Sequence, residues 1–231
     1  MKKQIPNLIT LGNLLCGVLA CYLGSVDHYK NASILICAGI FLDFFDGMAA
    51  RLLKVPSEIG KQLDSLADVV TSGVAPGLIM MGILTHGQFE KLCLVALMIP
   101  LFAAYRLAKF NVDTRQSHSF RGLPAPANAM IWVGIALCGW KPDLLFGWQD
   151  AAILFTIAVT CILMVCDLPM FSLKFNFHDM SWKQNRTQYI FLTGCAVIIA
   201  LTHNWYAISI IIGWYVALSI ATIKWTKESE Q

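Results

Sequence analysis

Charged side chains are scarce in this chain. Asp, Glu, Lys and Arg make up 13% of its 231 residues, about half the share of a soluble globular domain, against 57% apolar residues and a mean hydropathy of +0.63. An ordinary soluble domain is therefore excluded, and no nucleic-acid partner is expected. Long polar segments are also lacking: the longest, around Lys174 to Arg186, is short and broken by aromatics, so no sizeable soluble domain fits. The eight cysteines fall in or beside apolar runs at spacings that match no zinc pattern, and they read as small apolar helix residues. The five histidines are scattered and carry no assignment. No internal repeat or low-complexity tract is found. No small-residue cleavage site follows the first apolar stretch, which reads as a retained helix rather than a signal peptide.

What the chain has in abundance is apolar runs of membrane-crossing length. Eight candidate spans cover residues 7–25, 31–53, 61–84, 90–110, 123–140, 149–168, 187–202 and 204–223, with a tight turn at His203-Asn204 between the last two. Placing the N-terminus in the cytoplasm and alternating sides puts fourteen of the seventeen basic residues inside, leaving only Lys30, Lys91 and Lys141 outside. Arg106, Lys109, Arg115 and Arg121 form the richest internal cluster, ahead of Arg51, Lys54 and Lys61 and of Lys174, Lys183 and Arg186. This bias supports eight spans with both termini cytoplasmic. The expected fold is all-α, a polytopic transmembrane helical bundle.

Against that background four aspartates stand out. Between residues 43 and 68 the chain reads Asp43-x2-Asp46-Gly47-x2-Ala50-Arg51-x8-Gly60-x3-Asp64-x3-Asp68. Carboxylates inside membrane spans are costly and mark functional sites. Spacings of three and four put each pair on one helix face. With a turn near residues 54–60, all four lie about 6–16 Å from it, at matching depth. Unneutralised, each close pair costs about 3 kcal/mol. Hard divalent cations (Mg²⁺, Mn²⁺ or Ca²⁺) suit oxygen donors, and four carboxylates can hold two of them about 4 Å apart, as in phosphoryl displacement. Gly47, Ala50 and Gly60 leave room for a ligand near the backbone, and Arg51 is a bidentate phosphate donor.

That string is identified as the signature of the CDP-alcohol phosphatidyltransferase family, met here at every position. Flanking stretches resemble the members that accept serine: residues 5–17 (IPNLITLGNLLCG), 64–70 (DSLADVV), 73–76 (GVAP), 106–111 (RLAKFN) and 120–124 (FRGLP). The resemblance covers about residues 5–130, and the later helices more weakly. Two departures are visible: Lys109 stands where Arg is expected, and Thr71-Ser72 where Ser-Phe is commoner.

The resemblance implies a homodimeric enzyme in a bacterial inner membrane, with its active site cytoplasmic. It implies a core of six transmembrane helices, here residues 1–186, followed by two further helices and a short tail over 187–231. The reaction it implies moves the phosphatidyl group of CDP-diacylglycerol to L-serine and releases CMP. Asp43, Asp46 and Asp64 would bind Mg²⁺ or Mn²⁺, with Asp68 lining the metal site and serving as general base. Gly47, Ala50, Arg51 and Gly60 would cradle the nucleotide, closed from the first helix by Asn7 and Thr10. Arg106, Lys109 and Asn111 are the candidates for serine or phosphate. Membrane lipids are the remaining partner class. The signature serves the CDP-lipid half, so glycerol 3-phosphate and inositol stay open as acceptors. An intramembrane prenyltransferase would lack the Gly-x2-Ala-Arg-x8-Gly insert, and an Asp-lined carrier or channel would not need Arg51 and Gly60 in that register.

Overall fold

The computed structural model describes residues 4–55, 57–112, 120–139, 147–171 and 185–222. Arg115, Lys141, Lys174, Lys183 and the basic residues of both termini, used above to orient the chain, lie outside the described residues. Eight helical segments follow one another: α1 (Gln4–Ser25), α2 (Tyr29–Leu52), α3 (Glu58–Thr85), α4 (Glu90–Val112), α5 (Ala125–Leu137), α6 (Trp148–Val165), α7 (Arg186–Thr202) and α8 (Tyr206–Ala221). The first four and α6 are long and apolar enough to cross a membrane; α5, α7 and α8 are apolar but shorter. The protein is an integral membrane protein built as a helical bundle.

Local chemistry explains several boundaries. Ser57 caps α3: its hydroxyl accepts from the Gly60 N–H at 3.0 Å, so the helix starts earlier than the expected residue 61. α5 is shorter than expected because Pro124 precedes its start and Gly139 turns left-handed (φ 69°) after its end. His203, also left-handed at φ 47°, ends α7, and Asn204 Oδ1 accepts from the Tyr206 N–H at 3.0 Å to start α8.

α3 is interrupted by a π turn over Val69–Val74, where the Ala75 N–H reaches back to the Val70 carbonyl. Pro76 follows two residues later. A proline inside a helix lacks an N–H and crowds the carbonyl four residues back, and the widened turn relieves that conflict. Beyond it, α3 supplies the centre of the core with Ile79, Met80, Ile83 and Leu84, all fully buried, facing Ile99 of α4 and Trp132 of α5. α1 packs chiefly on α2 and turns Leu8, Leu11, Leu15 and Leu19 outward, as a lipid-facing helix should.

One small departure from an all-helical chain occurs at the α4–α5 connection. Phe120-Arg121 pairs antiparallel with Pro169-Met170, which follows α6. Gly122 continues the turn at φ 73°, and its N–H donates to the Leu168 carbonyl at 2.9 Å. A Cβ there would stand 2.8 Å from the Met164 and Cys166 carbonyl oxygens, so only glycine fits. All eight cysteines are free thiols.

Candidate active site

The α2–α3 hairpin carries the four aspartates at its turn end, where α1 begins and α4 ends. Asp43 and Asp46 lie on successive turns near the end of α2, and Asp64 and Asp68 on successive turns near the start of α3. One carboxylate oxygen from each of Asp43, Asp46 and Asp64 lies within 4.8 Å of the others. Asp46 is buried and accepts from Thr10 Oγ1 of α1 at 2.5 Å. Asp68 is not one of that close trio but lies within electrostatic reach of it; it is 8% exposed, and its Oδ1 accepts from Asn13 Nδ2 at 3.4 Å. Among the described residues no lysine or arginine forms an ion pair with any of the four.

The trio opens onto a cavity of about 450 Å³. Its wall also includes Asn7 and Thr10 of α1, Gly47, Ala50 and Arg51 of α2, and Gly60 of α3. Every residue expected to cradle the nucleotide is thus brought to one space. Arg51 Nε donates to the Gly47 carbonyl one turn back, at 3.1 Å, which lays the guanidinium along the helix toward the cavity. A Cβ at Gly60 would come 2.9 Å from Ser57 Oγ and 3.1 Å from Asn7 Oδ1, so that close approach of α1 to α3 depends on glycine.

The acceptor candidates behave differently. Lys109 Nζ forms an ion pair with Asp167 at 2.8 Å and also donates to the Val165 carbonyl, tying the end of α4 to the end of α6. Asn111 Nδ2 donates to Ser65 Oγ at 2.8 Å, and its carbonyl accepts from Lys61 Nζ at 3.3 Å. Arg106 is 7% exposed, with a buried Nε that has no hydrogen-bond partner among the described residues, and its guanidinium carbon lies 6.0 Å from the Phe110 ring centroid. It is within electrostatic reach of Asp68 and of Tyr215 on α8. The crevice it shares with Lys109 and Arg121 holds about 10 Å³, the room of one water.

Sequence reasoning left three site residues without a role. Ser57 lines the cavity and caps α3; a serine three residues before Gly60 is a capping signal. Lys61 lines the cavity but was counted only toward orientation. Asn13 touches Asp68 from a helix fifty-five residues earlier, and no local pattern reports such a contact.

The donor set is all oxygen and, among the described residues, forms no ion pair with a protein cation, which fits a hard divalent ion. Fold and site together define a polytopic membrane enzyme whose acids face a ligand-sized cavity. The chain belongs to the CDP-alcohol phosphatidyltransferase family, which it matches over residues 3–162. That family is metal-dependent and transfers a phosphatidyl group from CDP-diacylglycerol to an alcohol. The match ends inside α6, leaving α7 and α8 beyond it. Among similar proteins is the CDP-diacylglycerol–serine O-phosphatidyltransferase of Bacillus subtilis (strain 168), 40% identical over 143 residues, 62% of this chain and 80% of the relative. The protein of that name from Helicobacter pylori (strain ATCC 700392 / 26695) is 34% identical over 165 residues, 71% of this chain and 70% of the relative. The one from Mycobacterium bovis (strain ATCC BAA-935 / AF2122/97) is 31% identical over 175 residues, 72% of this chain and 60% of the relative.

Proposed function

We propose that this enzyme transfers the phosphatidyl group of CDP-diacylglycerol to L-serine, forming phosphatidylserine and releasing CMP. The observation that carries the reading is the convergence of Asp43, Asp46 and Asp64 on the cavity that Arg51 also lines. The serine acceptor rests on the similar proteins, whose names specify it.

In this reading Asp43, Asp46 and Asp64 hold two divalent cations, Mg²⁺ or Mn²⁺, with Asp68 lining the same site. Held there, such cations would offset the charge of the diphosphate and of the leaving CMP. Gly47, Ala50 and Gly60 admit the nucleotide close to the backbone, Arg51 binds phosphate, and Asn7 and Thr10 close the site from α1. Asp68 accepts the proton of the serine hydroxyl at a carboxylate oxygen. The serine oxygen then bonds to the lipid-side phosphorus as that phosphorus–oxygen bond to CMP breaks. The buried Arg106, near Asp68 and with Nε unpartnered, is assigned to the serine carboxylate. Its crevice must widen to admit serine. Lys109 and Asn111 hold the surrounding wall through Asp167 and Ser65. The same reading places the site and both termini in the cytoplasm of a bacterium, makes the enzyme a homodimer, and divides it into a core over 1–186 and a C-terminal helical pair over 187–231.

Purified enzyme given CDP-diacylglycerol and, separately, serine, glycerol 3-phosphate or inositol tests the acceptor by CMP release. Serine alone should support turnover; release with another alcohol and none with serine overturns the assignment. Asp68→Asn should lower turnover by about four orders of magnitude, the upper range for a lost general base, with the protein still inserted in the membrane.

A further inference from the structure

Asn13 lies on α1, fully buried, and the mechanism above gives it no task. Two residues of α3 grip it. Asn13 Nδ2 donates to Asp68 Oδ1 at 3.4 Å, and the Asn13 carbonyl accepts from Thr71 Oγ1 at 3.1 Å. Thr71 belongs to the π turn that begins at Val69. It reaches Asn13 because α1 has glycine at position 17: a Cβ there would stand 3.0 Å from the Thr71 backbone nitrogen and Cα. On the other side, Gly39 of α2 makes room for both partners. A Cβ at Gly39 would come 2.6 Å from Thr71 Cγ2 and 2.8 Å from Asn13 Oδ1.

This packing fixes which way the Asn13 amide points. Its oxygen fills the space over Gly39 and has no hydrogen-bond partner among the described residues, while its NH₂ faces the Asp68 carboxylate. The reverse orientation would set an amide oxygen against a carboxylate. A buried amide oxygen without a partner costs free energy that an apolar residue of the same shape would avoid. Such a group is retained in helix packing when its other end does something an apolar residue cannot.

We infer that Asn13 is a positioning residue for Asp68, and that the Thr71 π turn, admitted by Gly17 and Gly39, sets the distance at which it acts. The inference rests on the reading of Asp68 as the base. Asn13 directs one Asp68 oxygen toward α1 and so leaves the other to receive the serine proton. Without that hold the carboxylate rotates about its side-chain bonds, and misplacement by about 1 Å costs on the order of 100-fold in rate.

The experiment compares Asn13→Ala, Thr71→Val, Asp68→Asn and Asn13→Ala/Asp68→Asn in the full-length enzyme. Initial rates are measured against CDP-diacylglycerol and serine, with gel-filtration profile and thermal midpoint beside them. Asn13→Ala should lower kcat about 100-fold while KM for CDP-diacylglycerol stays within about threefold, because the nucleotide cradle lies elsewhere. Thr71→Val, which keeps the shape and loses only the hydroxyl, should show the same split at about 10-fold, with Thr71→Ser recovering most of it. In the Asp68→Asn background Asn13→Ala should add no further loss, since residues acting as a unit are non-additive. A purely structural role would lower midpoint and yield and leave kcat per folded molecule unchanged. Wild-type kcat in folded Asn13→Ala or Thr71→Val, with Asp68→Asn inactive, overturns the inference and leaves the base assignment standing. Turnover retained in Asp68→Asn overturns the base assignment itself.

Discussion

The two ends of the bundle both carry aspartates, and they treat them in opposite ways. At the end away from the cavity, both described aspartates have a protein donor. Asp150, 2% exposed in the first turn of α6, accepts from the backbone N–H groups of Gln88 and Phe89 at 2.6 and 3.4 Å. Asp27, between α1 and α2, accepts from the Tyr29 hydroxyl at 2.5 Å and faces His86 Nε2 at 3.3 Å. At the cavity end, Asp43, Asp46 and Asp64 crowd together, and among the described residues no basic side chain pairs with them. An acid matched by local donors stabilises the fold. Acids gathered without a counter-charge destabilise it until a cation arrives, so selection for the fold alone would remove them.

The largest expected effect tests that contrast at the cavity. Asp43→Asn or Asp64→Asn should lower CMP release by about 1000-fold, the scale of losing a group that acts on transition-state charge. In metal-free buffer the same variants should melt no lower than the parent, and up to about 3 kcal/mol of stability gained is the expected size for relieving one such repulsive pair. Thermal midpoints measured with and without EDTA check both signs. A variant that loses activity and also melts several degrees lower without metal would place these acids with the structural ones at the other end.

Much of this contrast was legible in the chain. The eight apolar runs each became a helix, and the signature spacing placed three acids, Arg51 and the small residues on one cavity. Helix periodicity and a short hairpin turn suffice for that, because the residues are close in sequence. What stayed hidden depends on distant partners. Lys109 read as an acceptor candidate, yet its ammonium pairs with Asp167, fifty-eight residues on. The π turn at Val69–Val74 has no composition of its own. Pro76 hints at a conflict, but only the packing of Thr71 against Gly17 and Gly39 decides where the helix widens. α7, which has no buried residue among those described, looked no different in hydropathy from the helices that build the core.

The next effect in size lies at the far end. Asp150→Ala removes the buried acceptor of two backbone N–H groups in a loop that passes so close that Gly87 could not carry a Cβ beside the carboxylate. The expected loss is about 3 kcal/mol, the scale of a charge-assisted pair of hydrogen bonds, read as a lower thermal midpoint with kcat within about twofold of the parent. Activity lost in proportion to a reduced midpoint at assay temperature would still be stability. Activity lost in molecules that remain folded would break the division between the two ends.

The smallest effect belongs to Asp27, and it is the one that pH can isolate. The Tyr29 hydroxyl, then His86, hold the Asp27 carboxyl below the usual carboxylate range. A depressed acid in the folded state stabilises the fold above the ordinary carboxyl value near about pH 4, and that contribution is lost as pH falls through the lower folded value. Asp27 also sits in the left-handed region at φ 62°, which asparagine tolerates and alanine does not. Asp27→Asn therefore removes the charge without adding backbone strain. Its thermal midpoint should lie slightly below that of the parent at about pH 7, because exposed pairs contribute little, and the gap should narrow as pH falls below about 4 and close only once pH has passed the lowered folded value. Turnover should be unchanged, since the loop lies at the opposite end from the cavity. A gap that persists at low pH would mean that shape, not charge, matters at Asp27. A gap matched by a fall in kcat would mean that the two ends are coupled through α1 and α2, which flank the Asp27 loop and carry the Thr10–Asp46 contact.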